Sequence, residues 1–365
     1  MSNIRNNALE KELLNVADTV NAELSIFFDK KKKETGVIDN LHLDALSILE
    51  EYTLRGGKRV RAFLCWCSFL LSGGKESNSI FKVCSAIELL HAYICNLDDM
   101  ADRDKKRHNG PSLETFYQEF FSKTLQEKQA AHFGRSFSEI IGALLNTYSS
   151  ELLCTSGFSS NAIVQAMKSF NTTMFEETSI GWQIHFFQNI ENISSASKER
   201  FLKGLELVTA QYTFVGPLHI GTILAENQNY STPLLEYGKH VGTAFQIQDD
   251  ILGVFGKTEK TGKPVGNDLR EGKKTLLLQY AYQHCTEKDK EFLRSVIGHD
   301  FSDKQLSLAQ NLIIETGSLQ YSQDLAKTQA EKGKQALQSI QKNNTTEKYL
   351  RLLSDLANFV ITREK

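Results

Sequence analysis

Proline is nearly missing from this chain. Four occur in 365 residues, at Pro111, Pro217, Pro233 and Pro264, about one per cent where near five is usual. A loop-rich β-sandwich, a Pro-rich linker or a disordered tail would carry more. Proline breaks helix interiors, so its scarcity suits a mostly helical chain. Long hydrophobic runs are also lacking. The densest, Ala62 to Leu71, is far short of a bilayer span, and the opening MSNIRNNALEKELLN has no apolar signal stretch. Neither sign of charge dominates. Lys+Arg is 42 and Asp+Glu is 44, a formal charge of −2, which gives no general attraction to nucleic acid or to an anionic membrane. No C-x-x-C pair exists among Cys65, Cys67, Cys84, Cys95, Cys154 and Cys285. Most sit inside apolar helical patterns, so buried reduced thiols are expected rather than zinc ligands or disulfides. Aromatics are plentiful, with 22 Phe and 11 Tyr, ample for a buried core. The expectation is a soluble, cytoplasmic, all-α protein without a stable membrane anchor, built as one large domain or two smaller ones.

Helical periodicity runs from end to end. Leu9, Leu13, Val16 and Val20 repeat at three- and four-residue steps. Leu43, Leu46, Leu49 and Leu54 do nearly the same and stop at Gly56-Gly57. Further helices are expected over 59–71, 78–103, 129–153, 159–190, 197–226, 231–255, 273–284, 303–315, 318–341 and 346–362. Three stretches break the pattern. Lys30 to Gly36 (KKKKETG) reads as a solvated turn or linker. Arg103 to Ser112 is a polar, basic loop, and Gly256 to Lys274 is rich in Gly and Lys. Pro217 suggests a kink and Pro233 a helix start.

The last two loops each follow an Asp-Asp pair. Asp98, Asp99 and Asp102 end a strongly apolar stretch that includes Ile87, Leu90, Ile94 and Leu97. On a helix, Asp98 and Asp102 share a face one turn apart. Asp is a poor helix former and like charges at this spacing repel. A hard divalent cation offsets that repulsion, since Mg²⁺ takes carboxylates, waters and phosphate oxygens. The plainer alternative is an acidic, solvated helix end, although the negative end of the helix dipole disfavours it. Asp249 and Asp250 end a second apolar helix. Here the i+4 position is Gly253, so a third carboxylate must come from elsewhere, and Asp268 is the candidate. Basic residues flank both pairs. Lys58, Arg59 and Arg61 follow Gly56-Gly57, Arg107 follows the first cluster, and Lys263, Lys273 and Lys274 follow the second. Cations at a helix start are unfavourable unless they meet an anion there. For a single Lys the plain reading is solvated surface.

The ordered set Gly56-Gly57-Lys58-Arg59-Val60-Arg61, His91 seven residues before Asp98-Asp99-x-x-Asp102, Phe245-Gln246-x-x-Asp249-Asp250 and Gly262-Lys263-Pro264-x-Gly266-x-Asp268 resembles the trans-isoprenyl diphosphate synthases. The resemblance covers about residues 50 to 280. It implies an all-α, single-domain helical bundle over residues 1–365 around a central cavity, usually a homodimer. It implies a prenyltransferase that joins isopentenyl diphosphate to an allylic diphosphate. On that resemblance Asp98, Asp102 and Asp249 are the ligands of a cluster of about three Mg²⁺ ions, with Asp99, Asp250 and Asp268 as supporting acids of the metal site. Lys263, Lys273 and Arg107 aid the leaving diphosphate. Lys58, Arg61 and His91, with His108, match the isopentenyl diphosphate pocket. Thr209 and Gln246 match positions that stabilise the allylic cation. Tyr93, with Ile94 beside it, matches the floor of the product tunnel and suggests a short C15–C20 product, while the plainer reading is ordinary core.

Several residues depart from the family pattern. His108-Asn109 stands where Arg-Gly is common, Val208 where Lys precedes Thr209, and Trp182 and His185 interrupt a Gly-Gln-x-x-Asp pattern. These departures support an alternative, a degenerate subunit that regulates an active synthase, whereas the intact Asp clusters oppose it. A class I terpene cyclase shares the first Asp cluster, but Asp249-Asp250-Ile251-Leu252-Gly253 is not its second motif.

Overall fold

The computed structural model describes residues 2–190, 198–256 and 265–363. Among them the chain is all-α, apart from one two-residue strand pair. The described chain divides into two compact units.

One unit comprises Asn7–Leu70 and Gly74–Met167. It holds most of α1 (Ser2–Glu34), α2 (Asn40–Leu54), α3 (Val60–Leu71) and α4 (Asn78–Asp102). It also holds α5 (Leu113–Phe121), α6 (Glu127–Cys154) and most of α7 (Ser160–Ser169). Asp39 caps α2 by accepting from Leu41 N at 2.7 Å, and Ser112 caps α5 through Thr115 N. Helix α4 is long and apolar enough to cross a bilayer, but most of it is buried, as a core helix would be. It packs on α6, where Asn96 and Ser138 exchange hydrogen bonds: Ser138 Oγ donates to Asn96 Oδ1 at 2.9 Å and Asn96 Nδ2 to Ser138 O at 3.2 Å. Gly142 lies against the same amide, where any Cβ would meet Asn96 Nδ2 at 2.4 Å. The pair sets the register of α4 two residues before Asp98.

Lys30 to Gly36 corrects the reading of that run as a solvated turn, because α1 continues to Glu34. Lys31 is 7% exposed. Its ammonium lies over the Phe27 and Tyr148 rings, 5.6 and 5.3 Å from their centroids, and meets Glu151 at 2.6 Å. Lys is a good helix former, and cations suit a helix C-terminus. A long Lys stem covers apolar surface once its head has a carboxylate.

The other unit comprises Leu71–Gly73 and Lys168–Lys365, with the first six residues. Its helices are α8 (Glu177–Ile190), α9 (Lys198–Leu205), α10 (Gly216–Leu224) and α11 (Ser231–Phe255). Past the second loop come α12 (Asn267–Arg270), α13 (Leu276–His284), α14 (Glu287–Val296), α15 (Asp303–Glu315), α16 (Ser318–Ala336) and α17 (Thr346–Thr362). Helix α11 is central and packs on α16 and on the segment before α10. The stretches read as helices over 159–190 and 197–226 each contain a π-helical segment, Phe170–Glu176 and Glu206–Val215. The second runs into Pro217, which has no N–H to donate. The wider turn there is closed by Gly216 N–H bonding to Gln211 O. Pro233 sits in the first turn of α11.

Candidate active site

In the first unit, the Gly-rich segment turns the chain into α3. Gly56, Gly57 and Arg59 all have positive φ, and Arg59 at +50° is the strained one, since it carries a Cβ. Its guanidinium offsets that strain. It donates to Thr53 O at 2.7 Å and to Asn21 Oδ1 at 3.1 Å, and it meets Glu88 at 3.3 Å in a buried pair. Glu88 also accepts from Ala62 N at the start of α3. Arg59 is thereby spent on the fold, while Lys58 is exposed. Arg61 reaches His91, with Nη1 3.2 Å from Nε2. Burial, then the charges of Arg61, Arg107, Arg59 and His108, hold His91 well below the ordinary imidazole pKa. A neutral ring with Arg61 at Nε2 accepts there and carries its proton on Nδ1, 3.4 Å from Cys95 Sγ.

Asp98, Asp99 and Asp102 close α4. Arg103 then enters the left-handed region, and the chain forms β1 (Lys106–Arg107) and β2 (Gly110–Pro111). The turn residues His108 and Asn109 have φ of +48° and +64°, the mirror-image geometry that suits a two-residue hairpin. Arg55 braces it by donating to Arg107 O and to Pro111 O at 2.7 Å. The hairpin aims Arg107 back at the carboxylates. Its Nε donates to Asp99 Oδ1 at 2.8 Å and its Nη2 to Asp98 Oδ2 at 3.2 Å. Asp99 is 1% exposed, and its other oxygen accepts from Tyr52 Oη at 3.0 Å. Burial pushes Asp99 up to about 6 against the pull of Arg107. Both its oxygens are engaged within the protein, so it supports its neighbours, whereas the Asp98 side chain is 41% exposed. His108 packs against Gly56, and burial with Arg107, Arg59 and Arg55 lowers its pKa. Tyr93 is half-buried on α4 and Ile94 is buried.

Tyr52→Phe removes the hydroxyl that satisfies Asp99 Oδ2. A buried acceptor left without a donor costs about 1–3 kcal/mol. Urea unfolding of the metal-free variant is expected to show that loss, and a change below about 0.5 kcal/mol would discard this support.

In the second unit, a chain of hydrogen bonds crosses from the π-helical segment to α11. Thr209 Oγ1 donates to Gln246 Oε1 at 2.5 Å, and Gln246 Nε2 donates to Asp250 Oδ1 at 2.8 Å. Val208 lies one residue before Thr209, against Gly181 of α8, where a Cβ would meet its backbone N at 2.7 Å. Asp250 is buried, and its Oδ2 has no hydrogen-bond partner. Burial and the charges of Asp268 and Asp249 hold its carboxyl well above the usual range, and Gln246 and Lys273 oppose them. Asp268 lies directly against Gly253, and Lys273 Nζ is 4.0 Å from Asp268 and 2.6 Å from Glu271. The charges of Asp249 and Asp268 thus act on a buried carboxylate that has one oxygen without a hydrogen-bond partner. A hard cation with oxygen-only preference fits that donor set. Asp249, 40% exposed, meets Arg363. Lys263 lies outside the described residues, as do Gly262 and Pro264.

Tyr52, Glu88 and Arg363 were not legible in the motifs. Tyr52 had one faint signal, an aromatic on the apolar face of α2 four residues before Gly56. Arg363 had none, being 114 residues from Asp249.

A family model described as polyprenyl synthetase matches residues 44–312. A geranylgeranyl diphosphate synthase of Saccharolobus solfataricus is 30% identical, over 94% of this chain and 99% of that protein. A geranylfarnesyl diphosphate synthase of Aeropyrum pernix is 27% identical, over 85% of this chain and 91% of its own. Among solved structures, geranylgeranyl pyrophosphate synthase from Corynebacterium glutamicum, complexed with isoprenyl diphosphate and magnesium, superposes with a TM-score of 0.88. It is 27% identical and covers 97% of this chain and 99% of its own. The chain belongs to the polyprenyl synthetase family, and its activity class is prenyl transfer.

Proposed function

We propose that this protein joins isopentenyl diphosphate head to tail to an allylic diphosphate, with trans geometry, and releases inorganic diphosphate. The allylic C–O bond breaks, a C–C bond forms to isopentenyl diphosphate, and the departing diphosphate takes the proton lost from the new chain. The observation that carries the reading is the second cluster. Asp249, Asp250 and Asp268 crowd together at the end of an apolar helix, with a buried carboxylate oxygen left over and Lys273 beside them. Magnesium held by Asp98, Asp102 and Asp249 would neutralise the charge that develops on the leaving diphosphate. Lys273 and Arg107 add fixed positive charge for the same group. Lys58, Arg61, neutral His91 and His108 bind isopentenyl diphosphate. Thr209 donates its hydrogen bond to Gln246 Oε1, which leaves the hydroxyl lone pairs available to an allylic cation. The similar proteins named above support the substrate class.

The product is a C15 or C20 diphosphate, with Tyr93 stopping the growing chain. Tyr93 lies five residues before Asp98, about 7 Å along the helix. A homodimer is the assembly that fits the exposed Phe120, Phe133 and Ile140 on α5 and α6. The test supplies isopentenyl diphosphate and Mg²⁺ with dimethylallyl, geranyl or farnesyl diphosphate and follows diphosphate release and product mass. No turnover with any primer overturns the reading. Tyr93→Ala is expected to lengthen the product by at least one C5 unit, and an unchanged product returns Tyr93 to the core.

A further inference from the structure

Asp249 has a partner that nothing near it in sequence supplies. Arg363 directly follows α17, and its N–H closes on Phe359 O at 3.0 Å. Its side chain is 9% exposed. The guanidinium lies 3.7 Å from the centroid of the Phe245 ring. Its Nη2 donates to Phe245 O at 3.1 Å and to Asp249 Oδ1. The carbonyl of Arg363 in turn accepts from Gln248 Nε2 at 3.2 Å. These contacts all fall on one turn of α11, Phe245 to Asp249. The guanidinium Nε is buried without a hydrogen-bond partner. A desolvated Arg with one donor unsatisfied carries a cost that its ion pair must offset.

We propose that Arg363 is the resident counter-ion of Asp249. It neutralises and aims that carboxylate while no divalent cation is bound, and it yields the oxygen when a metal–diphosphate arrives. The inference rests on the reading of Asp249 as a metal ligand. Two cations at one carboxylate oxygen repel, and a divalent ion outcompetes a monovalent one at equal distance. Linkage makes the competition reciprocal: Arg363 weakens metal binding by the factor by which metal weakens the hold on Arg363. Loading of the site is thereby coupled to release of the Arg363 side chain from α11.

Two measurements test this on the full chain. The first is Mn²⁺ affinity by electron paramagnetic resonance, without diphosphate. Arg363→Gln keeps a donor for Phe245 O but removes the charge, and should tighten Mn²⁺ binding roughly three- to tenfold, the range expected for a partly buried pair. Arg363→Lys should stay near wild type. In an Asp249→Asn background, Arg363→Gln should change nothing, which closes the double-mutant cycle. The second measurement needs no variant at Arg363. Mn²⁺ with inorganic diphosphate should speed trypsin cleavage after Arg363, and Asp249→Asn should show the fast rate without metal. Equal Mn²⁺ affinities in wild type and Arg363→Gln, or digestion indifferent to metal and diphosphate, overturn the counter-ion role. If wild type turns over while Asp249→Ala does not, that failure leaves the transferase reading standing. If Arg363→Gln tightens Mn²⁺ in a protein that turns over no primer, the counter-ion stands and the reaction falls.

Discussion

Asp98→Ala and Asp249→Ala are each expected to lower kcat by about a thousandfold or more while the protein stays folded. The size follows from charge. Ligands that place a cation at a leaving group supply several kcal/mol of transition-state stabilisation, and about 1.4 kcal/mol is a factor of ten. The intact fold follows from exposure. The two carboxylates are 41% and 40% exposed, and ion pairs at such positions contribute little to stability. Losing Asp98 leaves Arg107 on Asp99, and losing Asp249 leaves Arg363 on the Phe245 carbonyl and ring. Removing Asp98 also relieves its repulsion of Asp99 one residue on. Asp99→Ala makes the contrast. It strips a half-buried Arg107 of its main partner and the buried Tyr52 of its acceptor, so stability falls along with activity. Steady-state rates over a Mg²⁺ titration, with urea midpoints for each variant, check both halves. Activity within tenfold of wild type in Asp98→Ala or Asp249→Ala removes that residue from the metal-ligand assignment.

The helices were legible because their cause is local. Apolar spacing alone marks 231–255, 303–315 and 346–362, the bounds the structure shows for α11, α15 and α17. Where a distant partner decides the outcome, local pattern fails. Lys31 reads as a solvated cation until Glu151, Phe27 and Tyr148 arrive from elsewhere in the chain. Arg59 reads as a cation free to meet an anion until Glu88 claims it. The π-helical segment Glu206–Val215 keeps an apolar face, so periodicity cannot tell it from an α-helix. The same division runs through the candidate site. Spacing on one helix groups Asp98 with Asp102 and Gln246 with Asp250. It cannot supply Tyr52 for Asp99 across 47 residues, or Arg363 for Asp249 across 114.

Gly253→Ala should reduce kcat on the order of a hundredfold, the penalty for moving a reacting group by about 1 Å. Gly253 lies four residues after Asp249, on the same face of α11. A Cβ there would sit 1.9 Å from Asp268 Oδ2 and 2.3 Å from its Cγ. Nothing else about the position requires glycine. Its backbone is ordinary helix, where alanine is favoured by about 1 kcal/mol. The substitution therefore leaves the α11 backbone as stable or more so, and its closest clashes fall on Asp268. That side chain must swing away, taking with it the carboxylate whose charge acts most strongly on Asp250 and one of the two partners of Lys273. Repulsion between Asp268 and Asp250 falls at the same time, so the urea midpoint should hold or rise while activity and Mg²⁺ affinity drop. A double-mutant cycle makes the cause testable. In an Asp268→Ala background the room for a Cβ returns, and Gly253→Ala should add no further loss. Full activity in the single variant, or additive losses in the double, would show that the contact between Gly253 and Asp268 does not shape the site.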